Sequence, residues 1–161
     1  MRPKSLTIAE VEYTAFRLAK ELMTWDESIP AFGSRFPNIL ESCLETPFGQ
    51  FNKKDLYRGL AGKGSILFYL LIKNHPFQNG NKRIAIMCLL CFLYKNEKWI
   101  YISNDRLYRF AKHVAGSKPI KREPVLEHIK NFLTANIRDL NIIEISGRIN
   151  HSTESDDLLN S

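Results

Sequence analysis

The residues of this chain best suited to chemistry stand together in His75-Pro76-Phe77-Gln78-Asn79-Gly80-Asn81-Lys82-Arg83. Pro76 disfavours helical backbone at His75, so one helix is expected to end there and the next to begin near Gly80. That second helix would carry Asn81, Lys82 and Arg83 in its first turn. Free N–H groups at a helix start, aligned with its dipole, attract an anion, and two cationic side chains there make a phosphate site. Lys and Arg in a first turn oppose the dipole, which predicts a bound negative group that offsets the repulsion. His75 lies one loop away, where an imidazole could take a proton from a hydroxyl attacking that phosphate. A histidine beside a proline would mean little alone, and its neighbours are what give it weight.

Two apolar helices must hold this segment. The stretch 54–73 carries Leu56, Leu60, Ile66, Leu67, Tyr69, Leu70 and Leu71, with Gly59, Gly62 and Gly64 weakening its first half. Over 80–96 the apolar residues surround the axis, which predicts a helix buried at the centre of the domain. Upstream, Ile8, Val11, Ala15, Leu18 and Leu22 recur at steps of three and four, as on one face of a helix, and Thr7-Ile8-Ala9-Glu10 reads as its capping box. Pro30, Gly33, Ser34 and Pro37 interrupt that pattern, so 28–32 is expected to be an exposed loop or short hairpin. A short helix with Ile39, Leu40, Cys43 and Leu44 should follow Pro37. Further on, 99–102 reads as a brief extended piece, and Ser103 or Asn104 caps a helix ending at Gly116. A final helix carries Leu126, Ile129, Phe132, Leu133 and Ile137. The expected architecture is all-α, with six or so helices round the one at 80–96. Residues 1–145 are expected to form a single domain and 146–161 a polar, disordered tail.

With these elements around it, segment 75–83 resembles the Fic/Doc family, whose pattern is His-x-Phe-x-(Asp/Glu)-Gly-Asn-Gly-Arg. The Doc branch, that of the death-on-curing toxins, has Lys before the Arg, as Asn81-Lys82-Arg83 does here. The resemblance covers roughly residues 5–135. It implies a helical bundle around a central buried helix, with a short flap loop or β-hairpin. It also implies an ATP-dependent transferase that moves a phosphoryl or adenylyl group to a hydroxyl of a target protein, as the toxin of a toxin–antitoxin pair does. Carried over by position, His75 is the general base, Phe77 anchors the loop, and Asn79 stands at the Mg2+ position. Gly80, Asn81, Lys82 and Arg83 then hold the ATP phosphates, while Ile29, Pro30, Ala31 and Phe32 fall where the target-binding flap lies. In the Doc branch the Lys accompanies γ-phosphate transfer onto a translation factor. Self-inhibited members carry a Ser/Thr-x-x-x-Glu-Gly/Asn helix that this chain lacks, so either a separate antitoxin restrains it or nothing needs to.

Asn79 departs from the pattern. An amide oxygen can ligate Mg2+ but adds no negative charge, so metal affinity should drop. The alternative reading is therefore a catalytically impaired nucleotide- or protein-binding module.

Composition sets the outer bounds. At 161 residues with 44% apolar, the chain suits one core better than two. Lys and Arg number 23 against 17 acids, a formal charge of +6 that suits a polyanionic partner. Residues 103–130 hold seven of those cations against three acids, expected as a solvated face. No nucleic-acid module is recognisable, so nucleic acid is not an expected partner. No secretory signal is seen, and the longest apolar run, 84–94, is well short of the ~18 residues of a membrane span, so a cytoplasmic protein is expected. Cys88 and Cys91 fall in that run, where reduced thiols packed in the core fit better than a disulfide or zinc.

Overall fold

The computed structural model describes residues 2–141, so the tail expected at 146–161 lies outside the described residues. The first helix, α1, occupies 8–22 and begins with the expected capping box. Thr7 Oγ1 accepts from the Glu10 N–H at 3.2 Å, and a Glu10 carboxylate oxygen accepts from the Thr7 N–H at 2.8 Å. Within α1 the α-helical turn Ile8–Glu10 passes into a π-helical stretch, Val11–Phe16, before α geometry resumes over Arg17–Leu22. The wider π turn works like one inserted residue and turns the rest of the helix by about 100°. The buried face is consequently Val11, Ala15, Phe16, Ala19 and Met23. Leu18 and Leu22, expected on that face, point outward and are 36% and 62% exposed.

Helix α2, Pro37–Glu45, starts with proline at its first position, where the ring costs no hydrogen bond. A hairpin then pairs β1, Gln50–Phe51, with β2, Lys54–Asp55. Its turn residues Asn52 and Lys53 both have positive φ, +48° and +60°, as tight hairpins with the favoured twist require. This hairpin takes the place of the helical start expected at 54. Helix α3, Gly59–Lys73, begins only after it, and Lys63 joins the two. The Lys63 ammonium is fully buried and donates to Asp55 Oδ2 at 2.9 Å, Tyr57 O at 2.7 Å and Pro47 O at 3.3 Å.

Helices α3 and α4, Asn81–Lys95, pack against each other at the centre. The central place expected for α4 is shared with α3, which is buried without interruption from Gly62 to Ile72. Gly64 permits this closeness. A Cβ there would stand 3.3 Å from Leu133 Cδ1, which would have to give by a few tenths of an ångström, and 3.5 Å from Phe92 Cε1, an ordinary contact. Strand β3, Lys98–Ile100, follows α4, then α5, Asn104–Gly116, capped by the Ser103 hydroxyl. Helix α6, Arg122–Asn136, ends one residue before Ile137, which had been expected inside it. Ile137 instead opens β4, Ile137–Asp139, and pairs with Ile100 in an antiparallel ribbon, a setting that suits its branched side chain.

The architecture is all-α with two small ribbons. The three cysteines are free thiols. Burial pushes Cys43 up to about 12 and Cys88 higher still. No helix among the described residues is long and apolar enough to cross a membrane.

Candidate functional site

The segment between α3 and α4 is built by a few local bonds. Helix α3 stops at Lys73, Asn74 caps it, and His75 turns the chain with φ +48°, a left-handed conformation that histidine adopts more readily than most residues. The Pro76 carbonyl accepts from the Phe36 N–H at 2.9 Å, tying the turn to the start of α2. Phe77 is buried, its ring centroid 5.6 Å from that of Phe16 and 6.0 Å from that of Phe32. The π turn of α1 is what brings Phe16 inward to meet it.

Asn81 closes the loop. Its Oδ1 accepts from the Phe77 N–H at 3.0 Å and its Nδ2 donates to the Phe77 carbonyl at 2.8 Å, so one amide clasps both backbone groups of a residue four places back. The same Nδ2 lies 3.5 Å from His75 Nδ1, the outer limit of a hydrogen bond, which directs the ring without fixing its tautomer. Gly80, at φ +79°, is the αL residue that opens α4, and no side chain caps that helix start. The first N–H groups of α4 are left for another acceptor.

His75, Gln78, Asn79, Gly80, Asn81, Lys82 and Arg83 all border one cleft of about 180 Å³. Ile72 of α3, Asp26, and Tyr108 and Ala115 of α5 complete its walls. Lys73 steadies the α5 side by donating to the carbonyls of Ala115 and Ser117 at the helix end, where a cation is favoured. Lys82 is half-buried in the cleft and makes no hydrogen bond or ion pair among the described residues.

Arg83 is arranged differently from expectation. Its side chain is 3% exposed, and it donates to the Met23 carbonyl at 2.9 Å and the Glu27 carbonyl at 2.5 Å. The repulsion between this guanidinium and the dipole of α4 is thus offset within the protein by two carbonyls, and no bound anion is required for it. The segment expected as a flap also differs. Residues 28–31 form no strand, and Phe32–Ser34 is a 3-10 turn. Ile29 and Phe32 are buried, Pro30 is half-buried, and Ser28 and Ala31 are exposed, so the exposed loop or hairpin expected over 28–32 is a partly packed loop. Ile29 lies against Gly80 so closely that a Cβ on that glycine would meet Ile29 Cγ1 at 2.6 Å.

Asn79, the expected metal position, donates from Nδ2 to Glu27 Oε2 at 3.2 Å and to the Ser28 carbonyl at 3.5 Å. Its Oδ1 accepts from the Gly80 N–H at 2.7 Å. Among the described residues no three His, Cys, Asp or Glu side chains gather as a metal centre. The oxygens that border the cleft here, the Asp26 carboxylate and the Asn79 amide oxygen that accepts from the Gly80 N–H, are hard donors. They fit a Mg2+ ion that keeps water and substrate phosphates as its other ligands.

Sequence spacing alone did not point to Asp26, Glu27, Met23 or Tyr108. The first three follow a helix whose phase the π turn changes, and Tyr108 reaches the cleft through tertiary packing of α5 on α4. No curated protein and no solved structure matches the chain. A sequence model described as Fic/DOC family matches residues 12–93, just over half of it, from within α1 to near the end of α4.

Proposed function

Because the chain belongs to the Fic/DOC family, we propose that it transfers a phosphoryl group, or failing that an adenylyl group, from ATP to a hydroxyl of a target protein. The observation that carries this reading is the clasp of Asn81 on Phe77. It holds His75 on the rim of a cleft that also contains Lys82 and an uncapped helix start. In this reading the nucleotide phosphates accept from the first N–H groups of α4 and from the Lys82 ammonium, whose charge is free to meet them. His75 accepts the proton of the incoming hydroxyl, and its exposure leaves it reachable from outside the cleft. Gly80 is needed for its backbone: a side chain would strain the left-handed turn and collide with Ile29. A Mg2+ ion, when bound near Asn79, would spread the negative charge of the phosphates. Most of the remaining catalysis is positioning, which suits a site built from one short, clasped loop. A target protein acting as substrate and an antitoxin acting as restraint belong to the same proposal.

A second reading, a module that binds nucleotide or protein without turnover, is favoured by one observation: Arg83 and Asn79 are already satisfied within the chain. Intact-mass measurement of candidate targets incubated with ATP, Mg2+ and this protein separates the two. Under the transferase reading a target gains the mass of a phosphoryl or adenylyl group. His75→Ala should slow that gain by about 10²- to 10⁴-fold while the protein still unfolds cooperatively and still binds ATP. A His75→Ala variant as fast as wild type would remove His75 from the mechanism, and ATP binding without any transfer would favour the second reading.

A further inference from the structure

One face of the molecule is apolar and, among the described residues, uncovered. Between α1 and the second half of α4 runs a groove of about 540 Å³, bordered by Leu6 and Leu18 on one side and by Leu90, Cys91, Tyr94 and Trp99 on the other. Leu18 stands outward because the π turn rotates the end of α1, and Tyr94 is 61% exposed. Apolar side chains gathered along one groove mark an interaction site, whereas the same side chains scattered singly would not. We propose that residues 142–145 of the same chain, Ile142-Ile143-Glu144-Ile145, fold back along this groove and cover it.

Place, reach and chemistry favour this occupant over a separate molecule. Strand β4 runs antiparallel to β3, so the chain leaves Asp139 toward the end of α4, where the Leu140 N–H donates to the Glu97 carbonyl at 3.1 Å. Asn141 there borders a polar recess together with Lys95, and Lys95 also stands at the mouth of the apolar groove. The next residues therefore start beside it. An extended chain advances about 3.3 Å per residue, so four residues span about 13 Å. The α1 wall from Glu10 to Leu18 is of matching length, about 12 Å at helical rise. Ile142, Ile143 and Ile145 supply the apolar surface that the groove can bury. Glu144 has a cation to meet. Of the cations in the recess, Lys95 is paired with Glu10, Lys98 with Asp139 and Arg2 with Asp55, which leaves Lys4 without a carboxylate within ion-pair distance among the described residues.

The native thiol of Cys91 reports whether the groove is covered, because it is half-buried in the groove wall while Cys43 and Cys88 are fully buried. Three full-length proteins would be alkylated with iodoacetamide under native conditions: wild type, a triple variant combining Ile142→Asp, Ile143→Asp and Ile145→Asp, and Glu144→Lys. Peptide mass mapping reads the rate at Cys91, and thermal melting of each protein checks the fold. The triple variant should label at Cys91 about tenfold or more faster than wild type, because its segment no longer gains from burial and the groove stays open. Glu144→Lys sets like charges together and alters no apolar surface, so it should label about threefold faster. Wild-type rates in both variants would overturn the proposal. Should the triple variant fail to melt cooperatively, Glu144→Lys decides alone, and a wild-type rate there would overturn it. A wild-type rate that falls as protein concentration rises would overturn it as well, since a second copy would then be the cover.

Discussion

Arg83 spends its hydrogen bonds on the protein. A guanidinium 3% exposed and held by two carbonyls of the segment after α1 is a structural fastener, whatever else it touches. Arg83→Ala should therefore lower stability by about 2–4 kcal/mol, since charge-assisted bonds are lost and two carbonyls are stranded. Urea denaturation would measure it, and an unchanged midpoint would show that the fastening is incidental. At this scale the sequence was informative about residue type: His75, Lys82 and the two glycine-flanking asparagines were legible as a site because they sit side by side. What each side chain does was less so. Asn81 was expected on phosphate, yet its amide oxygen and nitrogen each bond the backbone of Phe77. Arg83 was expected on phosphate, yet its partners lie far upstream in the chain, where no local spacing could reveal them.

Among elements, the hairpin β1–β2 and helix α3 are joined by one buried lysine. Lys63 has three acceptors for its three protons, one of them the Asp55 carboxylate, which is still 25% exposed. Hydrogen bonds from Gln50 and Lys63, with the lysine's charge, hold the Asp55 carboxyl below the usual carboxylate range. The two ends of this pair are not equivalent. Asp55→Asn leaves an ammonium enclosed with neutral oxygens, whereas Lys63→Met leaves a carboxylate that water can reach. Asp55→Asn should be the more destabilising of the two by chemical denaturation, and the reverse order would mean that packing round the lysine stem dominates. The hairpin was hidden from the sequence because its turn uses Asn52 and Lys53 at positive φ, where glycine is the usual signal. The helices were legible wherever their apolar period was regular. Helix α6 ends one residue sooner than its apolar period predicts, because Ile137 fits the helical period and a strand equally well.

For the whole molecule, the N-terminal segment is closed onto the end of α4, and this closure should contribute to acid stability. Lys95 donates to the Glu10 carboxylate at 2.7 Å and to the Ser5 carbonyl at 2.8 Å, and Asn96 exchanges bonds with Lys4 on either side. Burial alone would raise the Glu10 carboxyl, but the bonds from Lys95 and Thr7 outweigh it and hold the group below its ordinary value. A lowered carboxyl stabilises the fold above its unfolded pKa, and that contribution is lost as pH falls through the folded value. Wild type should therefore lose about 0.5–1 kcal/mol more than Glu10→Gln on acidification from neutral pH to below the carboxylate range, a small figure because solvent screens a partly exposed pair. Parallel pH titrations of the melting temperature would check it, and identical curves would discount the pair. The all-α class was readable from composition and period because α3 and α4 are apolar almost all round. The outer helix α1 was readable only as far as its π turn. That turn also bears on how the chain is lined up with its kin. A π turn behaves as an insertion preserved in backbone shape, so against a relative whose helix lacks it an alignment that runs through Val11–Phe16 without a gap matches inward residues to outward ones from Arg17 onward. In such a register Leu18 and Leu22 would fall on core positions of that relative, and Ala19 and Met23, buried in this chain, on surface ones.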